Sequence, residues 1–264
     1  MKYLLVTGAS GGMGRAAVER LQGSGYTVFA IDRKPMENPP DGVISIVADV
    51  TDEVSVNAAF EEIKKHTDEL YGILHFAGIY MLDSLVEMPT EEFERIFRVN
   101  LFGVFQVNKT FLPMLQKGSR IVITTSELAP LHPLPFTGVY AVSKAALDRY
   151  AYSLRMEMQL LGISVSVLRA GAVDTGMITA STDALDRFCS ETKLYACNSK
   201  RFKEIVDSVE ARRIPTQKLA QKAVKILEKK RPKFAYSINR NPLLLLFELL
   251  PDRLRFWVIK RILK

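Results

Sequence analysis

Tyr140 and Lys144 lie four residues apart in the stretch Tyr140-Ala141-Val142-Ser143-Lys144. On a helix this spacing puts both side chains on one face, one turn apart. An unperturbed tyrosine titrates near about 10 and is a poor base at neutral pH. A nearby ammonium favours the phenolate and lowers that value, leaving a phenol that can give or take a proton near neutrality. A solvated helix face has the same spacing, so its meaning depends on what the rest of the chain places around it.

A second chemical signal opens the chain. Residues 2–6 form a short apolar run, followed by Thr7-Gly8-Ala9-Ser10-Gly11-Gly12-Met13-Gly14 and then a helical pattern (Ala16, Ala17, Val18, Leu21) ending at Gly23. Strand, glycine turn and helix form the context of a nucleotide loop. Gly8 permits the tight turn, Gly12 lets backbone approach a pyrophosphate, and Gly14 lets the helix pack close to the strand, with the helix N-terminus facing the anion. The next strand, residues 26–31, ends in Asp32, followed by Arg33. An acid there accepts hydrogen bonds from both adenosine ribose hydroxyls and repels a 2′-phosphate. The bland alternatives are a flexible turn and a solvated strand end.

The intervening elements follow from hydrophobic periodicity. Strands are expected over residues 43–47, 73–76, 120–124, 163–168 and 233–238, and helices over 52–70, 90–115 (with Thr90 as its cap), 139–161 and 216–227. Residues 176–212 are polar and irregular. His75 reads as a strand-end residue with a packing or hydrogen-bonding role, and His132 as an exposed residue of the proline-rich loop 128–138.

Residues 212–264 carry 15 Lys/Arg against three acids, whereas residues 1–211 carry 21 against 26, so the net charge of +7 belongs to the C-terminal fifth. Without aromatic interleaving or a motif, this does not read as nucleic-acid binding. Cys189 and Cys197 match no metal or disulfide spacing, so no metal is expected and a reducing compartment is the default. The first apolar run is too short for a signal peptide, and no run of about 20 apolar residues predicts a spanning helix. Residues 243–250 are nearly all apolar. After Pro251-Asp252, Leu254, Trp257, Val258 and Ile262 alternate with Arg253, Arg255, Lys260, Arg261 and Lys264. A basic amphipathic helix with a tryptophan suits a membrane interface, and equally a partner subunit or a cover over a pocket.

Thr-Gly-x-x-x-Gly-x-Gly at 7–14 with Tyr-x-x-x-Lys at 140–144 resembles the short-chain dehydrogenase/reductase family over roughly residues 1–240, and within it the steroid and retinol branch. The resemblance implies a doubly wound α/β Rossmann fold with a seven-stranded parallel sheet over residues 1–240, a substrate lid at 176–212, and a C-terminal amphipathic helical extension at 241–264. It implies an NAD(P)-dependent oxidoreductase that interconverts a hydrophobic secondary alcohol and its ketone. In that scheme Tyr140 is the general acid/base and Ser126 polarises the carbonyl. Lys144 lowers the tyrosine pKa and bonds the nicotinamide ribose, while Asn100, in Asn100-Leu101-Phe102-Gly103, sits at a helix kink and holds a water linking the lysine to solvent. Cofactor contacts fall on Gly8, Ser10, Gly12, Met13, Gly14, Asp32, Arg33, Asp49, Val50, Ala77, Gly78, Tyr140, Lys144, Val173 and Thr175.

The chain departs from the family pattern in three places. His75-Phe76-Ala77-Gly78 replaces Asn-Asn-Ala-Gly, and Ala170-Gly171 replaces Pro-Gly. Ser126 precedes Tyr140 by fourteen residues where the family has thirteen. That position is held by Glu127, which cannot donate when ionised; Thr125 is the alternative donor. Asp32 favours NAD, and Arg33 keeps NADP as the alternative. A homodimer or homotetramer in the cytoplasm is expected, with membrane contact through residues 243–264 as a variant. The competing functions are an acyl-carrier ketoreductase and a non-catalytic cofactor-binding or membrane-associated scaffold.

Overall fold

The computed structural model describes residues 2–210 and 212–264; Met1 and Ala211 lie outside the described residues. Seven strands form one parallel sheet: β1 (Tyr3–Thr7), β2 (Thr27–Asp32), β3 (Val43–Val47), β4 (Leu70–His75), β5 (Leu115–Ser126), β6 (Ser164–Ala170) and β7 (Ala235–Ile238), in spatial order β3-β2-β1-β4-β5-β6-β7. The central strands read as apolar runs because helices cover both faces of the sheet. Alternate residues serve opposite faces. Leu5, Ile73, Ile121 and Val165 join one buried cluster, and Leu4, Val6, Leu74 and Val122 join the other.

Helix α1 (Gly12–Gln22) packs on α8 (Thr216–Leu227) over one face. The other face is covered by α2 (Glu53–Lys64), α4 (Gly103–Phe111) and α5 (Gly138–Met158), whose buried Val56, Ile63, Val107, Phe111, Leu147 and Ala151 fill that cluster. The strand order reverses between β1 and β4. Their carboxyl ends open the crevice where ligands bind in such sheets.

Several boundaries differ from the expectations. The second helix stops at Lys64 because residues from Leu70 join the sheet beside β1 and β5. Strand β5 begins at Leu115, with a register irregularity against β4 before the regular pairing from Arg120. The stretch 90–115 is not one helix. α3 (Thr90–Phe97) passes into a π turn at Arg98–Phe102 and then α4, and Pro89 rather than Thr90 occupies the N-cap. Residues 176–212, irregular in polarity, contain α6 (Gly176–Glu191) and α7 (Ala196–Glu210). Their buried Leu185, Phe188 and Phe202 pack around Phe136, a contact set spread over nearly seventy residues and therefore weak as a local pattern.

The C-terminal extension forms α9 (Pro242–Glu248) and α10 (Asp252–Ile262). Asn241 caps α9, its Oδ1 accepting from Leu243 N at 3.0 Å. The chain end is held by Leu263, buried in the Phe136 cluster, and by a 2.6 Å hydrogen bond from Asn198 Nδ2 to Leu263 O. Among the described residues no helix is long and apolar enough to cross a membrane.

Candidate active site

The turn after β1 is built by close backbone approach. Gly8 has φ 68°, and a Cβ there would lie 2.5 Å from Ala77 N, so β1 and β4 can converge at their ends only with glycine at this point. A Cβ on Gly14 would lie 2.0 Å from Gly8 O, which seats α1 against the turn. Gly11 caps α1 without a side-chain bond, and no acid occupies the first turn, leaving the positive end of the helix to an anion.

Asp32 ends β2 beside this loop. Ser10 N donates to Asp32 Oδ2 at 3.0 Å, and Ser10 Oγ donates to Lys34 O at 3.0 Å. The carboxylate is thus held at the rim of a groove that Arg33, Asp49 and Val50 also line. Asp49 Oδ1 accepts from Thr51 N at 2.8 Å and Thr51 Oγ1 at 2.7 Å, which shapes the turn after β3. Across the groove Thr175 approaches Gly12 so closely that a Cβ there would meet its Cγ2 at 3.2 Å. The groove has an acid at one end, an amide-bearing helix start in the middle and small residues at the narrow places. These residues fit a dinucleotide.

Met13, Phe76, Gly78, Ile79 and Thr175 line both this groove and a second, largely apolar pocket, so the two are continuous. Tyr140 and Lys144 of α5 line that pocket with Ser126 of β5. The Tyr140 phenol hydrogen-bonds Ser126, and its ring packs edge-on to Tyr80 at 4.6 Å between centroids. Lys144 Nζ lies 5.9 Å from the Tyr140 ring centroid and donates to Thr124 O at 3.4 Å. Thr125, the alternative donor, lines the same pocket but donates to Asp148 at 3.3 Å; Asp148 also pairs with Arg169 at 2.7 Å. The fourteen-residue spacing therefore brings Ser126 to the phenol, and Glu127 enters the pocket wall one residue later.

Burial dominates the protonation of this pair. It pushes the Tyr140 phenol up to about 12, a shift opposed by the Ser126 hydrogen bond and reinforced by the Glu127 charge. It pushes the Lys144 ammonium down to about 8. Burial, the largest influence on the phenol, acts against the lowering expected from Lys144, whose ammonium stands 5.9 Å from the ring centroid.

Asn100 lies in the π turn and is fully buried. Its Oδ1 accepts from Ile79 N at 2.8 Å, and its Nδ2 donates to Ile79 O and Ser143 Oγ, each at 3.0 Å. A Cβ on Gly78 would touch both Asn100 Oδ1 (3.2 Å) and Lys144 Nζ (3.3 Å), so a glycine between them keeps the two groups together. Val173 pairs with Ile214 in an isolated bridge beside Thr175. Gly171 N donates to Ile238 O at 3.0 Å, holding the turn where the family has proline.

His75 takes the place of the first family asparagine. It is buried, with Nε2 2.9 Å from Asn108 Oδ1, and Asn108 Nδ2 donates to Tyr150 OH at 3.3 Å. This chain ties β4 to α4 and α5. Burial lowers the imidazole to about 4, so it is neutral at pH 7. Between about 6.5 and about 4 the unfolded chain binds a proton that the native imidazole refuses, so stability falls as pH drops through that window. The expected loss is about 3 kcal/mol, and a His75→Asn variant should lose it. Urea unfolding of both proteins across the window checks this; parallel slopes would assign the acid sensitivity elsewhere. His132 is exposed, as expected, and pairs with Glu248 of α9.

Comparison with known proteins agrees with the fold. The family profile described as short chain dehydrogenase matches residues 2–186. The chain is 28% identical over 239 residues to the 3-ketodihydrosphingosine reductase of Bacteroides thetaiotaomicron, covering 90% of this chain and 88% of that one. It is 31% identical over 179 residues to the NADPH-dependent 1-acyldihydroxyacetone phosphate reductase of Schizosaccharomyces pombe, covering 66% of this chain but only 60% of that protein's length. A short-chain dehydrogenase from Streptomyces avermitilis superposes with a TM-score of 0.78 at 20% identity, covering 98% of this chain and 95% of that one.

Proposed function

The chain belongs to the short-chain dehydrogenase/reductase family and is an NAD(P)-dependent oxidoreductase; from that premise we propose that it interconverts a hydrophobic, lipid-like secondary alcohol and its ketone. The observation that carries this reading is the Tyr140 phenol, bonded to Ser126 beside Lys144, in a pocket also walled by Leu128, Leu134, Phe202, Val206 and Leu244. Two relatives are named for reductions of lipid ketones. The glycine turn, Asp32 and the residues around Gly78 would hold the dinucleotide, whose nicotinamide supplies or accepts the hydride. Ser126 holds the substrate oxygen, and Tyr140, protonated at neutral pH, donates to that oxygen as charge develops on it. Lys144 places a buried cation beside the phenol, and Asn100 supports it across Gly78. Helices α6 and α7 act as the lid. An absorbance assay of long-chain ketones with reduced cofactor tests the reading; absence of turnover with both cofactors, binding being intact, would remove it.

NAD is the favoured cofactor, because the Asp32 carboxylate, held by Ser10 N at the rim of the groove, would repel a 2′-phosphate. Arg33 and the NADPH-dependent relative argue the other way. Replacing Asp32 with alanine is expected to move the NAD/NADP ratio of kcat/KM toward NADP by about 10–100-fold, the usual worth of a charged hydrogen-bonding group. An unchanged ratio would take discrimination away from Asp32.

The outer faces of α9 and α10 expose Leu246, Leu249, Phe256 and Trp257 among Arg253, Lys260 and Arg261. Leu244 of the same α9 lines the pocket. This apolar, basic face suits an anionic lipid surface at the substrate entrance. The protein should sediment with phosphatidylglycerol vesicles, and Phe256→Ser with Trp257→Ser should weaken that binding at least about tenfold. No sedimentation of the parent protein would leave the face to a partner subunit. Exposed Phe102, Phe105 and Tyr152 are further apolar surface that a homodimer would bury.

A further inference from the structure

Phe136 lies in the loop between Ser126 and Tyr140, four residues before the phenol, in a backbone conformation that its residue type avoids. Its φ is 61°, in the left-handed region, where the Cβ of an L residue crowds the following carbonyl. Among the described residues the other non-glycines with positive φ are Asn38 and Asn239, and asparagine adopts that region far more readily. Such a conformation persists only where its surroundings over-determine it. Phe136 is 9% exposed, and its ring meets Phe188 of α6 at 4.9 Å, Tyr195 at 5.2 Å and Phe202 of α7 at 5.3 Å between centroids. Phe136 O accepts from Asp83 N at 2.9 Å. Tyr80, three residues before Asp83, packs both against this aromatic cluster and edge-on to the Tyr140 ring. Residue 136 also turns the chain into α5. Thr137 Oγ1 donates back to Leu134 O at 2.8 Å, and Ala141 N donates to Thr137 O at 2.9 Å, the bond that opens the helix.

We propose that Phe136 is a positioning residue through which the lid sets the catalytic tyrosine. Helices α6 and α7 hold its ring, the held ring keeps residue 136 in the left-handed conformation, and that conformation starts α5 where the Tyr140 phenol meets Ser126. This rests on the reading above that Tyr140 is the proton donor of a ketone reductase. With the ring released, residue 136 relaxes to negative φ, the competent arrangement becomes a minority state, and kcat falls in proportion to its population.

Two variants of the full-length protein separate backbone from packing. Phe136→Ala and Phe136→Gly remove the same aromatic contacts, but glycine adopts positive φ about as readily as negative φ and alanine does not. With reduced cofactor and a long-chain ketone, the alanine variant is expected to lose about 10–100-fold in kcat, the worth of one such strained residue. The glycine variant should recover to within about threefold of the parent, with cofactor affinity unchanged in both. Packing alone predicts the opposite order, because glycine fills even less of the cluster. Parental kcat in the alanine variant, or a loss as large or larger in the glycine variant, would overturn the proposal. Phe188→Leu decides without a substrate and whether or not the first two variants fold. It loosens the cluster from α6 and is expected to speed amide hydrogen exchange in residues 137–144 at least about tenfold. Faster exchange confined to α6 and α7 would refute the coupling. No ketone turnover by wild type, with faster exchange at 137–144 in Phe188→Leu, would remove the lipid-ketone reading and retain the coupling of the lid to Tyr140.

Discussion

Tyr140→Phe is expected to lower kcat for ketone reduction by about a hundred- to ten-thousand-fold, the range for loss of a general acid. Burial holds the phenol at about 12, so the group is protonated across the neutral range and is a ready donor. Lys144 does not replace it, because its ammonium points to Thr124 O. Phenylalanine keeps the ring that packs on Tyr80, so folding and cofactor affinity should survive. Cofactor titration by fluorescence should therefore match wild type while turnover collapses. Activity within a few-fold of the parent would move the acid elsewhere. The pH profile of reduction should bend downward above about 8, where Lys144 loses its proton, and Lys144→Met should lack that limb.

Gly14→Ala is expected to destabilise the fold by about 1–3 kcal/mol, as overpacking does, and to reduce cofactor affinity well beyond that of Gly11→Ala. The new methyl would lie 2.0 Å from Gly8 O and 2.9 Å from Ala9 Cα. All of its neighbours are backbone, so no side chain can rotate away. Relief requires α1 to retreat from the turn, and that motion carries the helix start away from the groove while disturbing buried Ala17, Val18 and Leu21. Gly11→Ala is the control. Its φ of −75° suits any residue, and its Cβ would meet only Gly8 O, at 3.4 Å. Thermal unfolding with and without cofactor reads both effects. Equal stability and affinity for the two variants would mean that the turn tolerates movement of α1.

The glycine spacing at 7–14, the acid ending β2, and the Tyr140–Lys144 pair were legible without coordinates. Each depends on neighbours within one turn or one strand, where periodicity and backbone sterics act directly. Short apolar runs likewise marked the strands, because helices cover both faces of the sheet. The choice among Thr125, Ser126 and Glu127 was only partly legible. Counting residues leaves a one-position ambiguity, and it is the pairing of Thr125 with Asp148, 23 residues away, that leaves Ser126 to the phenol. A kink at Asn100 followed only from the family resemblance, since the hydrogen bonds of its side chain run to Ile79 and Ser143. His75 gained its meaning from Asn108, 33 residues distant, and Glu127 from Asn241, 114 residues distant. Local pattern carried the elements and the spacing of the reacting groups. Tertiary packing decided how much water each group keeps, and through desolvation it set the protonation of Tyr140, Lys144 and His75 and left a carboxylate in the pocket wall.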